Sequence, residues 1–350
     1  MYMQKQLHGL TKWKKKKRMI DKQKEEEFYA KDFSFSYSSL NKLLFSPTLF
    51  YKDYILLEKE VKTEKHLIEG RLVHCLLFEP DKVKDKFNIV PGKTPSDNVR
   101  KVLKNMSLHT DATKLSDVED FIILDSLKEL NLYQSLKKDE ARIAKIKTED
   151  NEPYWTFLGN SAIDVIDQDT LTKCSEYVDI IQSNNDVMDL FSNESETDFE
   201  LDPISIHCEQ PLYCKLENYS FGLKGIVDFY KIDKEKKVVT ICDLKTTSKT
   251  IADFQETVDF YNYWLQAAIY SKLVYENLKK NHSEDAEMYQ ILFKFVVIDK
   301  YNQVYVFDVR EDTLGIWANG LENTLERANY HYTNKNYTLP YNFLIEKVKL

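Results

Sequence analysis

Two adjacent β-branched runs, each interrupted by charge, constrain this chain more than anything else in it. The first is Gly225-Ile226-Val227-Asp228-Phe229-Tyr230 and the second is Val238-Val239-Thr240-Ile241-Cys242-Asp243-Leu244-Lys245-Thr246-Thr247, with a polar stretch from Asp233 to Lys237 between them. Apolar runs bounded this way predict a hairpin. Asp243 and Lys245 differ by two positions, so on a strand both point to one face. An acid flanked by Ile226, Val227, Phe229 and Tyr230 is predicted to be partly buried, and a buried carboxylate needs a cation or several donors. For Asp228 alone, a salt bridge to a lysine such as Lys224 would serve. Two acids and a lysine at the ends of adjacent strands ask for more, and they suit a divalent cation and an activated water. Asp228 and Asp243 would be hard oxygen ligands, and the Leu244 backbone carbonyl could add another. Lys245 would hold or deprotonate the attacking water, or stabilise charge on a phosphate.

Around this hairpin the pattern changes twice. Residues 1–33 read as a charged arm, with a basic block at Lys12-Trp13-Lys14-Lys15-Lys16-Lys17-Arg18 that is either solvated or in contact with nucleic acid. Residues 34–350 read as a single domain. Its first part, 34–87, is helical: Ser36 precedes an apolar stripe through Leu40 and Leu43, Pro47 opens a second helix, and Gly70 to Phe78 form a third. Residues 88–195 read as a polar, mostly helical insertion. The remainder, 196–350, carries strands at Ile206–Leu216 (with Glu209), Ser220–Lys231 and Val238–Thr246. A single long helix is predicted over Phe254–Lys280, then a hairpin of Met288–Asp299 and Gln303–Val309, and a last helix over Leu314–Tyr330.

Composition narrows the class. The chain of 350 residues has 43% hydrophobic residues, enough for a sizeable core, and its longest purely apolar runs are far too short to span a bilayer. With no apolar signal-peptide core at the N-terminus, a cytoplasmic location is expected. The net charge of −8 argues against a protein that coats DNA, but an enzyme threading DNA needs only a basic channel. Five cysteines without CxxC spacing support neither a zinc knuckle, nor a disulfide framework, nor an iron–sulfur cluster. There is no Gly-x-Ser-x-Gly elbow and no Gly-rich phosphate loop.

Gly-Ile-Val-Asp followed by Ile-Cys-Asp-Leu-Lys-Thr-Thr resembles the signature of the PD-(D/E)XK nucleases. More narrowly it resembles their RecB-like branch, which includes the RecE and lambda-type recombination exonucleases. Gln266 and Tyr270 look like that branch's QxxxY motif, and their spacing puts both on one helical face. His74, in Gly70-Arg71-Leu72-Val73-His74, resembles its upstream helical metal ligand, although a lone histidine on an apolar helix is commonly a core residue. Ser36 to Tyr51 resembles the branch's helical entry. Asp243 stands where many members have Glu, and both residues occur in the family.

The resemblance implies an α/β fold, with a central mixed β-sheet flanked by helices and a helical insertion. It implies a Mg²⁺- or Mn²⁺-dependent deoxyribonuclease with one or two ions held by His74, Asp228, Asp243 and the Leu244 carbonyl. Asp228, Asp243, Lys245, Gln266 and Tyr270 would form the catalytic set. Glu209 is either an additional acid or a surface residue, and Arg71 and Lys249 are candidate phosphate contacts. The activity implied is 5′→3′ digestion of one strand at duplex DNA ends, leaving 3′ single strands for an annealing protein. A ring-shaped homo-oligomer is implied too, in the host cytoplasm if the gene belongs to a phage. A flap-processing, repair or CRISPR-associated nuclease, and a catalytically silent DNA-binding module, are the alternatives.

Overall fold

In a computed structural model of the chain, the residues described are 21–58, 64–92, 94–160, 164–192, 203–281 and 285–348. The basic block at 12–18 lies outside them. The chain divides into two compact units, one of residues 1–62 and 181–350 and one of residues 63–180.

The first unit is built on one mixed sheet. Its strands are β1 (Ser34–Phe35), β2 (Ile204–Lys215), β3 (Gly222–Asp233), β4 (Val238–Thr247), β5 (Gln290–Asp299) and β6 (Val304–Val309). Strands β2, β3 and β4 run antiparallel as a meander, while β4 and β5 are parallel and β5 and β6 close as a hairpin. A parallel pair needs a crossover, and here helices provide it. The short β1 runs parallel to β3 at Gly222 and Leu223.

The helices of this unit include α1 (Tyr37–Phe45), α2 (Phe254–Tyr261), α3 (Tyr263–Asn281) and α4 (Glu311–Asn334). Ser36 caps α1 in a reciprocal capping box with Ser39, as the Ser-rich entry predicts. Leu265, Ile269 and Leu273 of α3 join one core with Leu223 and Val227 of β3, Val239 and Ile241 of β4, and Phe293 and Phe295 of β5. Leu321, Leu325 and Ala328 of α4 belong to the same core. Two glycines of β3 permit close approach. A Cβ on Gly222 would lie 2.6 Å from the Cys214 carbonyl oxygen, and one on Gly225 would lie 3.0 Å from the Tyr270 ring.

The single helix expected over 254–280 is two. It breaks at Asn262, whose backbone is left-handed (φ 57°, ψ 41°), a conformation that asparagine tolerates better than most residues. The Tyr261 carbonyl accepts the Tyr37 hydroxyl (2.5 Å) and the Asn41 amide (3.2 Å) of α1.

The second unit is mainly helical and has its own core. Val102, Leu103 and Met106 pack with Ile123, Leu127, Ile146 and Trp155. It also contains a small feature that the sequence pattern does not predict, a parallel pair of strands Phe87–Ile89 and Asp164–Ile166. Among the described residues no helix is long and apolar enough to cross a membrane.

Candidate active site

The register of the sheet sets up the site. Between β2 and β3 the ladder runs Cys208↔Phe229, then Gln210↔Val227, omitting the rung that would join Glu209 to Asp228. Between β3 and β4 it stops at Phe229↔Cys242, one rung short of joining Asp228 to Asp243. The two gaps fall in one row, so Glu209, Asp228 and Asp243 stand abreast on three neighbouring strands.

The period-two alternation also changes phase at this row. In β3, Leu223 and Val227 belong to the core shared with α3, with Lys224 and Ile226 exposed between them; beyond Asp228 it is Tyr230 and Ile232 that join that core. In β2 the exposed positions shift from Pro211, Tyr213 and Lys215 to Cys208. One extra residue in each of two facing strands keeps the overall register while twisting both, as bulges beside functional sites do. Glu209 takes up much of this distortion, with φ at 45°, where a residue bearing a Cβ is strained.

Carboxylates directly across a sheet repel one another. A carboxylate oxygen of Glu209 nevertheless lies within 4.8 Å of one of Asp228. Asp228 is 6% exposed and Asp243 is fully buried. Where the ladder opens, the Leu244 amide donates to Asp228 Oδ2 (2.9 Å). Asp243 Oδ2 pairs with Lys245 Nζ at 2.5 Å, so the expectation that both point to one face matches their geometry.

From Lys245 a chain of contacts runs into α3. Its ammonium donates to Gln266 Oε1 (3.0 Å), and Gln266 Nε2 donates to the Tyr270 hydroxyl oxygen (3.0 Å). The Tyr263 ring lies under the same ammonium, 4.6 Å from Nζ to the centroid. Burial works against the lysine's charge, but the carboxylates of Asp243 and Asp228 outweigh it and hold the pKa above the ordinary value. Tyr270 is pushed well above the ordinary phenol value by burial, and by the negative charge of Asp228, Asp243 and Glu209. Its hydroxyl therefore stays protonated.

Asp228, Asp243, Lys245, Gln266, Tyr270, Glu209 and Leu244 thus all belong to the first unit, and the sheet and α3 bring them together. Lys249 follows β4, with its ammonium 5.8 Å from the Phe260 ring centroid. His74 and Arg71 belong to the second unit, on helix Lys65–Phe78. His74 is half-buried there, with the Phe78 ring 6.2 Å away. Arg71 donates twice to Asp164, from Nε (2.8 Å) and Nη2 (2.7 Å), so a phosphate would compete with that carboxylate. Tyr263 is a site residue that the motifs do not include. Its signal is spacing: positions 263, 266 and 270 fall on one face of a helix.

The donor set fits a hard divalent cation. Carboxylate oxygens of Glu209 and Asp228 come within 4.8 Å of each other on neighbouring strands, while Asp243 stands in the same row with its Oδ2 paired to Lys245.

The sequence matches the model of the PD-(D/E)XK nuclease superfamily over residues 34–336. The chain belongs to this superfamily. The mixed sheet flanked by helices is the fold expected of such a nuclease, and PD-(D/E)XK nucleases use divalent metals. Among solved structures, a protein provisionally described as an exonuclease, from Eubacterium rectale, aligns at 11% identity with a TM-score of 0.45. The alignment covers 91% of this chain and 88% of that one. No curated protein matches the sequence.

Proposed function

We propose that this PD-(D/E)XK nuclease is a Mg²⁺-dependent exonuclease of the RecB-like branch that digests one strand of duplex DNA 5′→3′. The observation that carries the reading is the continuous set Asp228, Asp243, Lys245, Gln266 and Tyr270 across β3, β4 and α3. Asp228 and Asp243 would hold the metal, with the Leu244 carbonyl and Glu209 as further ligands. When bound, such an ion supplies Lewis-acid polarisation of the scissile phosphate and a water of lowered pKa.

The chain's own residues supply the rest. Lys245 sits beside Asp243, where its ammonium can orient the attacking water and offset charge developing on the phosphate. Gln266 fixes the lysine's position, and Tyr270 fixes Gln266. Burial around Asp243 excludes bulk water, which strengthens each of these interactions. Arg71 and Lys249 would contact phosphates. Recombination-type resection also implies a ring of subunits and a single-strand annealing partner, and both belong to this proposal.

Linear duplex DNA labelled at one 5′ or one 3′ end tests the polarity. Early release of 5′-labelled mononucleotide is expected, with a 3′ label staying on a progressively shorter strand and released as mononucleotide only late. Release from 3′ ends, or cleavage confined to branched flaps, would contradict it and favour the repair or flap-type role.

A further inference from the structure

We propose that the turn joining α2 to α3 is a stacking platform for an unpaired DNA strand beside the active site. This rests on the nuclease reading and adds a binding surface to it.

The last residues of α2, at the turn into α3, expose aromatic rings on a backbone that is held in place. Phe260 is 73% exposed and Tyr261 is 46% exposed. A flexible loop would be a poor platform, but this one is clamped. Tyr37 and Asn41 both donate to the Tyr261 carbonyl, the Asn262 amide donates to Asn41 Oδ1 (2.8 Å), and the Trp264 indole donates to Asn262 Oδ1 (3.0 Å). These bonds fix the left-handed break at Asn262 and hence the direction of both rings. Single exposed apolar side chains are ordinary, and Phe45 is 77% exposed elsewhere in this unit; what sets this pair apart is two neighbouring rings on a clamped backbone, an arrangement that suits recognition.

A second observation gives the chemistry of the occupant. The Lys249 ammonium lies beside the exposed Phe260 ring, so a cation and an aromatic face are offered together. That pairing matches a nucleotide, whose base stacks while its phosphate meets the lysine. Paired bases hide their faces in the duplex, so the platform suits an unpaired strand.

A third observation gives the path. Phe260 meets Tyr261 edge-on at 4.9 Å, Tyr261 stacks on Tyr263 at 5.5 Å, and Tyr263 lies under the Lys245 ammonium. The aromatic series therefore runs from the exposed turn to the lysine of the catalytic set. A strand stacked on its outer end would have its phosphates led toward Lys245.

The test is fluorescence anisotropy of the full chain in EDTA, with a labelled oligothymidylate and with an abasic strand of the same length. Metal-dependent cleavage of duplex DNA by the same preparations is measured in parallel. Phe260→Ala and Tyr261→Ala are each expected to weaken oligothymidylate binding by about 5- to 150-fold, at unchanged melting temperature. Phe260→Trp should retain binding, and the abasic strand should bind variants and wild type alike. Variants that bind oligothymidylate within about twofold of wild type would overturn the platform, as would an equal loss on the abasic strand. If wild type cleaves DNA while the variants bind normally, the platform alone falls. If the stacking losses occur in a protein that cleaves no DNA, the nuclease reading falls and the platform stands.

Discussion

Replacing Lys245 by methionine keeps most of the side chain's volume and removes its charge. The ammonium is 2.5 Å from Asp243 Oδ2 and 3.0 Å from Gln266 Oε1, its side chain is 14% exposed, and Asp243 is fully buried. Removing one partner of a buried ion pair strands the other, at about 3–5 kcal/mol. Lys245→Met is therefore expected to lose about 3–5 kcal/mol in EDTA, where no added cation can take the lysine's place. Asp243→Asn should also destabilise, by stranding the lysine. The double variant, with neither charge, should lose clearly less than the sum of the two, by about 2 kcal/mol or more. Urea unfolding measures these values, and hydrogen exchange over residues 238–247 assigns the transition to the sheet-bearing unit. A Lys245→Met protein within about 1 kcal/mol of wild type, or strict additivity in the double variant, would refute the claim that this pair is a tightly coupled buried one.

Other outcomes rest on the same geometry. Gly222→Ala should destabilise by about 1–3 kcal/mol, because its Cβ would meet the Cys214 backbone carbonyl oxygen at 2.6 Å. Gly315→Ala, at an exposed position in α4 with nothing within 4 Å of the added Cβ, should instead stabilise by about 0.5–1 kcal/mol, and thermal melts of the two would show opposite signs. Burial holds the His331 imidazole below its ordinary value of 6.5, against a contact with the Asn336 carbonyl that favours the cation. The unfolded chain thus binds more protons once the pH drops below about 6.5, so stability declines from there to the folded pKa and levels off below it. His331→Asn should flatten that stretch of the stability–pH curve. Mg²⁺ or Mn²⁺ at about 100 times its Kd should stabilise the wild type by about 2.7 kcal/mol in denaturant titrations, and Asp228→Asn should lose most of that gain.

Much of the site was legible because strand parity is a strong rule. Two positions separate Asp243 from Lys245, and both side chains emerge on the face toward α3. Four positions separate Gln266 from Tyr270, and the amide reaches the phenol. Other features left weaker traces. The run Ile226-Val227-Asp228-Phe229-Tyr230 is apolar on both sides of the acid, so the change of phase at Asp228 leaves no mark in its hydropathy. The strained backbone at Glu209 comes from pairing with β3, which the local sequence does not encode. Helical periodicity continues through Asn262, so the break is set by tertiary bonds to Tyr37 and Asn41. Residues 63–180 carry a core of their own, but their polar, helical pattern holds no chemical motif that would have assigned them a role.

The most direct test of the account is hydrolysis of linear duplex DNA with and without Mg²⁺, by wild type beside Asp243→Ala and Lys245→Ala, with circular dichroism to show that each is folded. The account predicts metal-dependent cleavage by wild type and a loss of at least about 100-fold in each folded variant. Wild type that cuts no DNA, or variants that cut as well as wild type, would contradict it.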